Sequence, residues 1–212
     1  MKKEHKKYKG MSLVEVMVAI GIFSIGILGF SLLLVSSWKS YSFIYETGQD
    51  SFIASRAVNL VVNDLRKIRQ ADNGDYPIKS ASEFDLVVYV DIDNDGETEK
   101  VHYFLDQDNN LLRMGISEPS SDTPPEYSSG DDSVQTLASH VVNDSDKPAF
   151  SYFGSNYFND AVPFAVPVAS GKLSNIRIIR VELLIDIRPY NSPDHVSIQS
   201  ISQLRNLKDY EE

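Results

Sequence analysis

From Leu13 to Val35 the chain runs through 23 residues in which Glu15 is the only charged side chain. At about 1.5 Å per residue a helix of that length reaches roughly 35 Å, enough to cross a bilayer core of about 30 Å. Lys2, Lys3, Lys6, Lys7 and Lys9 precede the run, so the leader is expected to stay in the cytoplasm and the remainder to be exported. A carboxylate near the start of such a span is costly in hydrocarbon and therefore points to function. A secretory signal would need small residues at a cleavage site beyond the apolar stretch, and the exit LLLVSSWKSY supplies a poor one. A plain signal anchor accounts for the lysines and the span. It leaves both Glu15 and the junction residue Gly10 unexplained.

The exported part is acidic. The formal charge is −10, but residues 1–10 hold five of the 20 basic residues and one of the 30 acidic ones. The remainder carries 15 against 29, a net −14. That balance argues against broad nucleic-acid binding, which needs clustered Lys and Arg. With no cysteine in the chain, a disulfide framework, a thiolate zinc site and a cysteine nucleophile are all excluded.

The junction Gly10-Met11-Ser12-Leu13-Val14-Glu15 resembles the cleavage and methylation motif of type IV prepilins and their pseudopilin relatives. The resemblance implies that a membrane-embedded prepilin peptidase cuts between Gly10 and Met11 and methylates the new amino terminus of Met11. The family usually has Phe where this chain has Met11. It also implies that Glu15, fifth in the mature chain, pairs with the amine of a neighbouring subunit as the filament grows. The stretch 63–71, NDLRKIRQA, is similar to the end of the N-terminal helix in J-type minor pseudopilins of type II secretion.

Beyond the span, Ala54, Val58, Val61, Leu65 and Ile68 recur at steps of four and three, one face of an α-helix. This predicts helix to Ala71, stopped at Asp72-Asn73-Gly74-Asp75 with Gly74 as cap; a bend is placed near Gly48. The period then changes. Residues 84–90 and 100–105 read as a hairpin around an acidic turn, and 111–114 follow a second turn. Residues 118–133 are loop by composition, and 134–142 fit a short helix, with a strand as the other reading. Residues 149–153 form a further strand. From Arg177 to Ile187 apolar residues alternate with Arg180, Glu182 and Asp186. Leu184 interrupts that polar face, where a neighbouring subunit or a loop should cover it. Residues 196–204 should pair back, with a bulge or an early end because Ile198 and Ile201 are out of phase.

One turn invites chemistry. Asp91, Asp93, Asp95 and Gly96 match the first half of a calcium loop, and Glu97 and Glu99 could add oxygens. The twelfth position is His102 instead of the bidentate Glu, and strands flank the turn, so an ordinary acidic hairpin turn is the preferred reading and Ca2+ the other. His5, His102, His140 and His195 form no cluster, and Ser139-His140 completes no triad with any carboxylate at a defensible spacing. Tyr152, Phe153, Tyr157 and Phe158, near Asn156 and Asn159, could line a carbohydrate groove, although core and edge packing is the simpler use.

The expected fold is α+β and pilin-like: a long N-terminal α-helix, membrane-spanning in its first half, packed against an antiparallel β-sheet head. The expected divisions are a basic leader 1–10, a transmembrane and filament-core helix 11–37, a soluble helical half 38–74 and an exported β-rich head 75–212. By resemblance the chain is a minor pilin or pseudopilin of a type IV pilus or type II secretion filament, at the tip and assisting assembly initiation. A tip adhesin or a competence pilin for DNA uptake is the alternative. Implied partners are the prepilin peptidase, other major and minor pilins, an assembly platform protein and an ATPase. The location implied is the bacterial cytoplasmic (inner) membrane in a single pass, head outside, then the filament. Neither catalysis nor a required cofactor is expected.

Overall fold

A computed structural model describes residues 10–186, 195–205 and 207. The chain divides into two units, Met1–Glu46 and Thr47–Glu212. Helix α1 is Leu13–Leu65. In the first unit its segment Leu13–Tyr41 is long and apolar enough to span a membrane, and none of it is buried within the protein. The long apolar helix followed by antiparallel sheets makes this an α+β, pilin-like fold.

In the second unit α1 is amphipathic, as the four-and-three spacing requires. Ala54, Ala57, Val58, Val61, Val62 and Leu65 are buried, while Arg56, Asn59 and Asn63 face solvent. The helix ends six residues before the expected Ala71. After Leu65 the Lys67 N–H turns to the Asp64 carbonyl (2.8 Å), and the Arg69 N–H donates instead to the Tyr89 carbonyl (3.1 Å). Ile68 and Ala71 still bury their side chains, but from a segment bonded to a strand. The apolar period thus outlasts the helix. Gly74, at φ +92°, closes a turn with its N–H on the Ala71 carbonyl and does not cap α1.

Five strands form an antiparallel meander: β1 (Ile78–Ala81), β2 (Asp85–Val90), β3 (Glu99–Asp106), β4 (Leu111–Ser117) and β5 (Ser133–Ser139). The hairpin β2–β3 pairs Asp85 with Phe104 through Val90 with Glu99. β5 occupies the stretch that favoured a short helix. It pairs with β4 across a register shift near Leu112 and leaves Val134 half exposed, so its apolar residues mark an edge strand. A second sheet has the order β6 (Phe150–Phe153), β7 (Ile178–Ile185), β8 (Val196–Gln203). A 3-10 helix, Ser170–Asn175, precedes β7.

Ile179, Val181, Leu183 and Ile185 are fully buried, as their alternation requires; Ile187 lies outside the described residues. Leu184 is covered from within the chain, where Val142 donates to its carbonyl and the Asn143 side chain accepts its N–H (2.9 Å). β8 pairs with β7 through eight successive residues from Ile178–Gln203 to Ile185–Val196, with neither bulge nor early end. The phase conflict is met by leaving Ile201 40% exposed. The second half of α1, both sheets and Leu204 and Leu207 share one apolar core. Asp64 is buried in it and accepts the Tyr103 hydroxyl at 2.7 Å, a polar tie from helix to β3.

Candidate functional site

Two places carry the sequence-derived site residues. At the N-terminus, Gly10, Met11 and Ser12 lie ahead of α1 in non-helical backbone, and Gly10 and Met11 are exposed. The Gly10–Met11 peptide bond is therefore flanked by exposed residues on both sides. Glu15 sits in the first turn of α1. The Ser12 N–H donates to its Oε2 (2.8 Å), and the Glu15 N–H donates to Ser12 Oγ (3.3 Å). This is a reciprocal capping box that satisfies two of the backbone donors every helix start leaves open. The sequence signal for this role of Ser12 is Ser-x-x-Glu ahead of an apolar run. Further along, Ser24 returns its hydroxyl to the Ile20 carbonyl (2.8 Å), which satisfies that donor within the helix.

The second place is the β2–β3 turn. One carboxylate oxygen from each of Asp91, Asp93, Asp95 and Glu99 lies within 4.8 Å of the others. Glu97, named beside the three aspartates from sequence, is not in this group; its N–H donates to Asp95 Oδ1 (2.8 Å). Asn94 and Gly96 take positive φ, which lets Asp93 Oδ1 accept the Asp95 N–H at 3.1 Å. Glu99 is buried on β3 and accepts the Ile92 N–H at 2.7 Å. Burial pushes its carboxyl up, and the charges of Glu118 and Asp93 add to that rise. Glu118 is pushed up as well, by burial and then by Asp93 and Asp95.

A clamp behind the turn was not legible in the sequence. Arg69 donates to Thr98 Oγ1 (2.7 Å) and to the carbonyls of Gly96 (2.6 Å) and Glu97 (2.8 Å), and it pairs with Asp91 at 3.4 Å. Asp72 accepts the Thr98 N–H, and the Tyr127 hydroxyl donates to the Thr98 carbonyl. The segment after α1 is thus stitched to the acidic turn.

His102, which takes the twelfth position of the calcium-loop pattern, faces the other way. Its Nε2 is 2.6 Å from Asp85 and its Nδ1 2.9 Å from Asp131. Burial alone would lower it; the two hydrogen-bonded carboxylates override that and hold it above the usual histidine range. Ser80 bonds Asp85 and not the ring, so these residues make no Ser–His–Asp relay. Of the aromatic quartet, Tyr152 and Phe153 belong to the core, Tyr157 packs edge-on against Phe153, and Phe158 stands exposed. Beside them a cavity of about 380 Å³ is lined by Asn156, Tyr157, Phe164, Asn175 and Arg177, among others.

Residues 5–33 match the family model for the prokaryotic N-terminal methylation motif. No curated protein and no solved structure matches the chain.

Proposed function

Because this motif supports placing the chain in the prepilin and pseudopilin family, we propose that it is a minor subunit of a type IV pilus or type II secretion filament, sited at the tip and assisting assembly initiation. The supporting observation is the joint presence of an exposed Gly10–Met11 junction, Glu15 in the first helical turn and an apolar span left exposed by the described residues. A helix whose 29-residue span buries nothing within the protein must find its partners in lipid or in other helices. In this reading the prepilin peptidase removes residues 1–10 and methylates Met11. The subunit waits in the cytoplasmic membrane with its head outside. The platform protein and ATPase then drive its helix into a bundle of pilin helices, where Glu15 meets a neighbour's amine. The minor, tip-sited role rests on the likeness of residues 63–71 to J-type subunits.

Intact mass and N-terminal sequencing of protein from native membranes test the pathway. The expected product starts at N-methylated Met11, and Gly10→Ala leaves the full-length chain. An unprocessed wild-type chain would reduce the N-terminus to a single-pass anchor. Deletion of the subunit is expected to lower filament number or secretion; no change in either would remove the initiation role.

The exposed Phe158 and the cavity beside it favour a second reading, a tip adhesin that uses this flank of the head for ligand. Binding to a glycan array that disappears in Phe158→Ala would select it.

A further inference from the structure

We propose that the β2–β3 turn is a Ca2+ site built from Asp91, Asp93, Asp95 and Glu99. Their ligand oxygens all lie within 4.8 Å of one another, about twice a calcium–oxygen bond of roughly 2.4 Å, so a single ion can touch all four. A group of acids on an exposed turn would mean little alone. Glu99 supplies the independent observation. It is 2% exposed, and while one oxygen accepts the Ile92 N–H, Oε1 is buried with no hydrogen-bond partner. Asp91 Oδ1 is buried without a partner as well. Native proteins rarely leave a buried carboxylate oxygen without a donor, and a bound cation satisfies both at once.

Charge points the same way. Arg69 neutralises one of the carboxylates, through Asp91. Asp93, Asp95, Glu97 and Glu99 remain, and Glu118 is near enough to feel Asp93 and Asp95. The donor set is entirely oxygen, with neither imidazole nor thiolate, which selects a hard cation over zinc or copper. Several protein carboxylates around one ion suit calcium better than magnesium, which keeps much of its water. The site is no EF-hand, since strands flank it and the fourth acid comes from β3. Arg69 and Thr98 connect it to the segment leaving α1. An ion bound here would therefore stiffen the head where helix gives way to sheet. The proposal is independent of the pilin reading.

The test is calorimetric titration of the full chain in detergent micelles with CaCl2 after chelation, with thermal unfolding followed in parallel. One saturating Ca2+ per chain and a raised Tm are expected. Asp93→Asn, an exposed position, should weaken binding by about tenfold or more, and Glu99→Gln should do the same. Asp108→Asn in the next turn, which matches the charge change, should leave affinity within about twofold. If Glu99→Gln fails to fold, as judged by circular dichroism, Asp93→Asn decides. No saturable binding, affinity unchanged in Asp93→Asn, or an equal response to Mg2+ would overturn the assignment.

Discussion

The two stretches of α1 are both rich in apolar residues, yet they are built for opposite surroundings. Between Leu13 and Tyr41 the large apolar side chains point to every side and all stay exposed, Leu28 and Leu33 at 67% and 69%. Between Ala54 and Leu65 they keep to one side, with Ala54, Ala57, Val58, Val61, Val62 and Leu65 buried to 2% exposure or less and Leu60 partly buried at the margin. A polar opposite face, with Arg56, Asn59 and Asn63, is what separates a helix made for a core from one made for lipid or a helix bundle. Amount of apolar surface does not decide the partner; its angular spread does.

The largest effect should come from breaking the buried stripe. Leu65→Ala removes a fully buried side chain and is expected to cost about 2–5 kcal/mol of unfolding free energy, read by denaturant titration. Leu28→Ala, equally apolar, should leave that value unchanged, because that side chain is exposed among the described residues. Equal losses would dissolve the contrast. Tyr103→Phe comes next. It takes the hydroxyl from Asp64, whose carboxyl is already pushed up by burial, and should cost about 1–3 kcal/mol.

That contrast was legible in the sequence, because periodicity reports which way side chains point. The methylation motif over residues 5–33 was equally legible, being local, and so were β2, β3, β4 and β7. What escaped were features decided by distant residues. The burial of Ile68 and Ala71 keeps helical spacing although their backbone has joined β2 through Tyr89. β5 is held by pairing with β4, so its own pattern reads ambiguously. Glu99 and not Glu97 joins the acidic group because β3 begins at Glu99 and buries it, whereas Glu97 is still in the exposed turn. Arg69 lies 27 residues from the Gly96 carbonyl it grips, a separation no spacing rule would flag.

A smaller effect sharpens the first half of α1. Ser12→Ala removes the hydroxyl that accepts the Glu15 N–H and should cost about 0.5–2 kcal/mol of local helix stability. Faster amide exchange at Glu15, with the head's unfolding free energy unaltered, is the expected result. A change in head stability would mean that the two halves answer to each other.

The smallest effect concerns pH, and it falls on the head alone. Between Leu13 and Tyr41 the charged residues are Glu15 and Lys39, whereas the head fixes its 118–132 loop through ionisable groups. His102 bonds Asp85 and Asp131, and Lys100 donates to the Ser128 and Gly130 carbonyls. The folded state holds the His102 proton more tightly than an unfolded chain, whose histidine titrates near about 6.5. Its contribution is therefore complete below that value and fades as pH rises through the raised folded value. Against a partly exposed ring, about 1 kcal/mol or less is expected. Unfolding free energies at pH 5.5 and pH 8 should differ by that amount in the wild type, after the same difference in His102→Gln is subtracted. A neutral imidazole can donate to one carboxylate only, so at high pH either Asp85 or Asp131 loses the imidazole donor. Since Asp131 sits on the loop, exchange of loop amides should quicken first. Equal exchange at both pH values would show that Lys100 and the Asp132–Ile116 backbone bond hold the loop without His102.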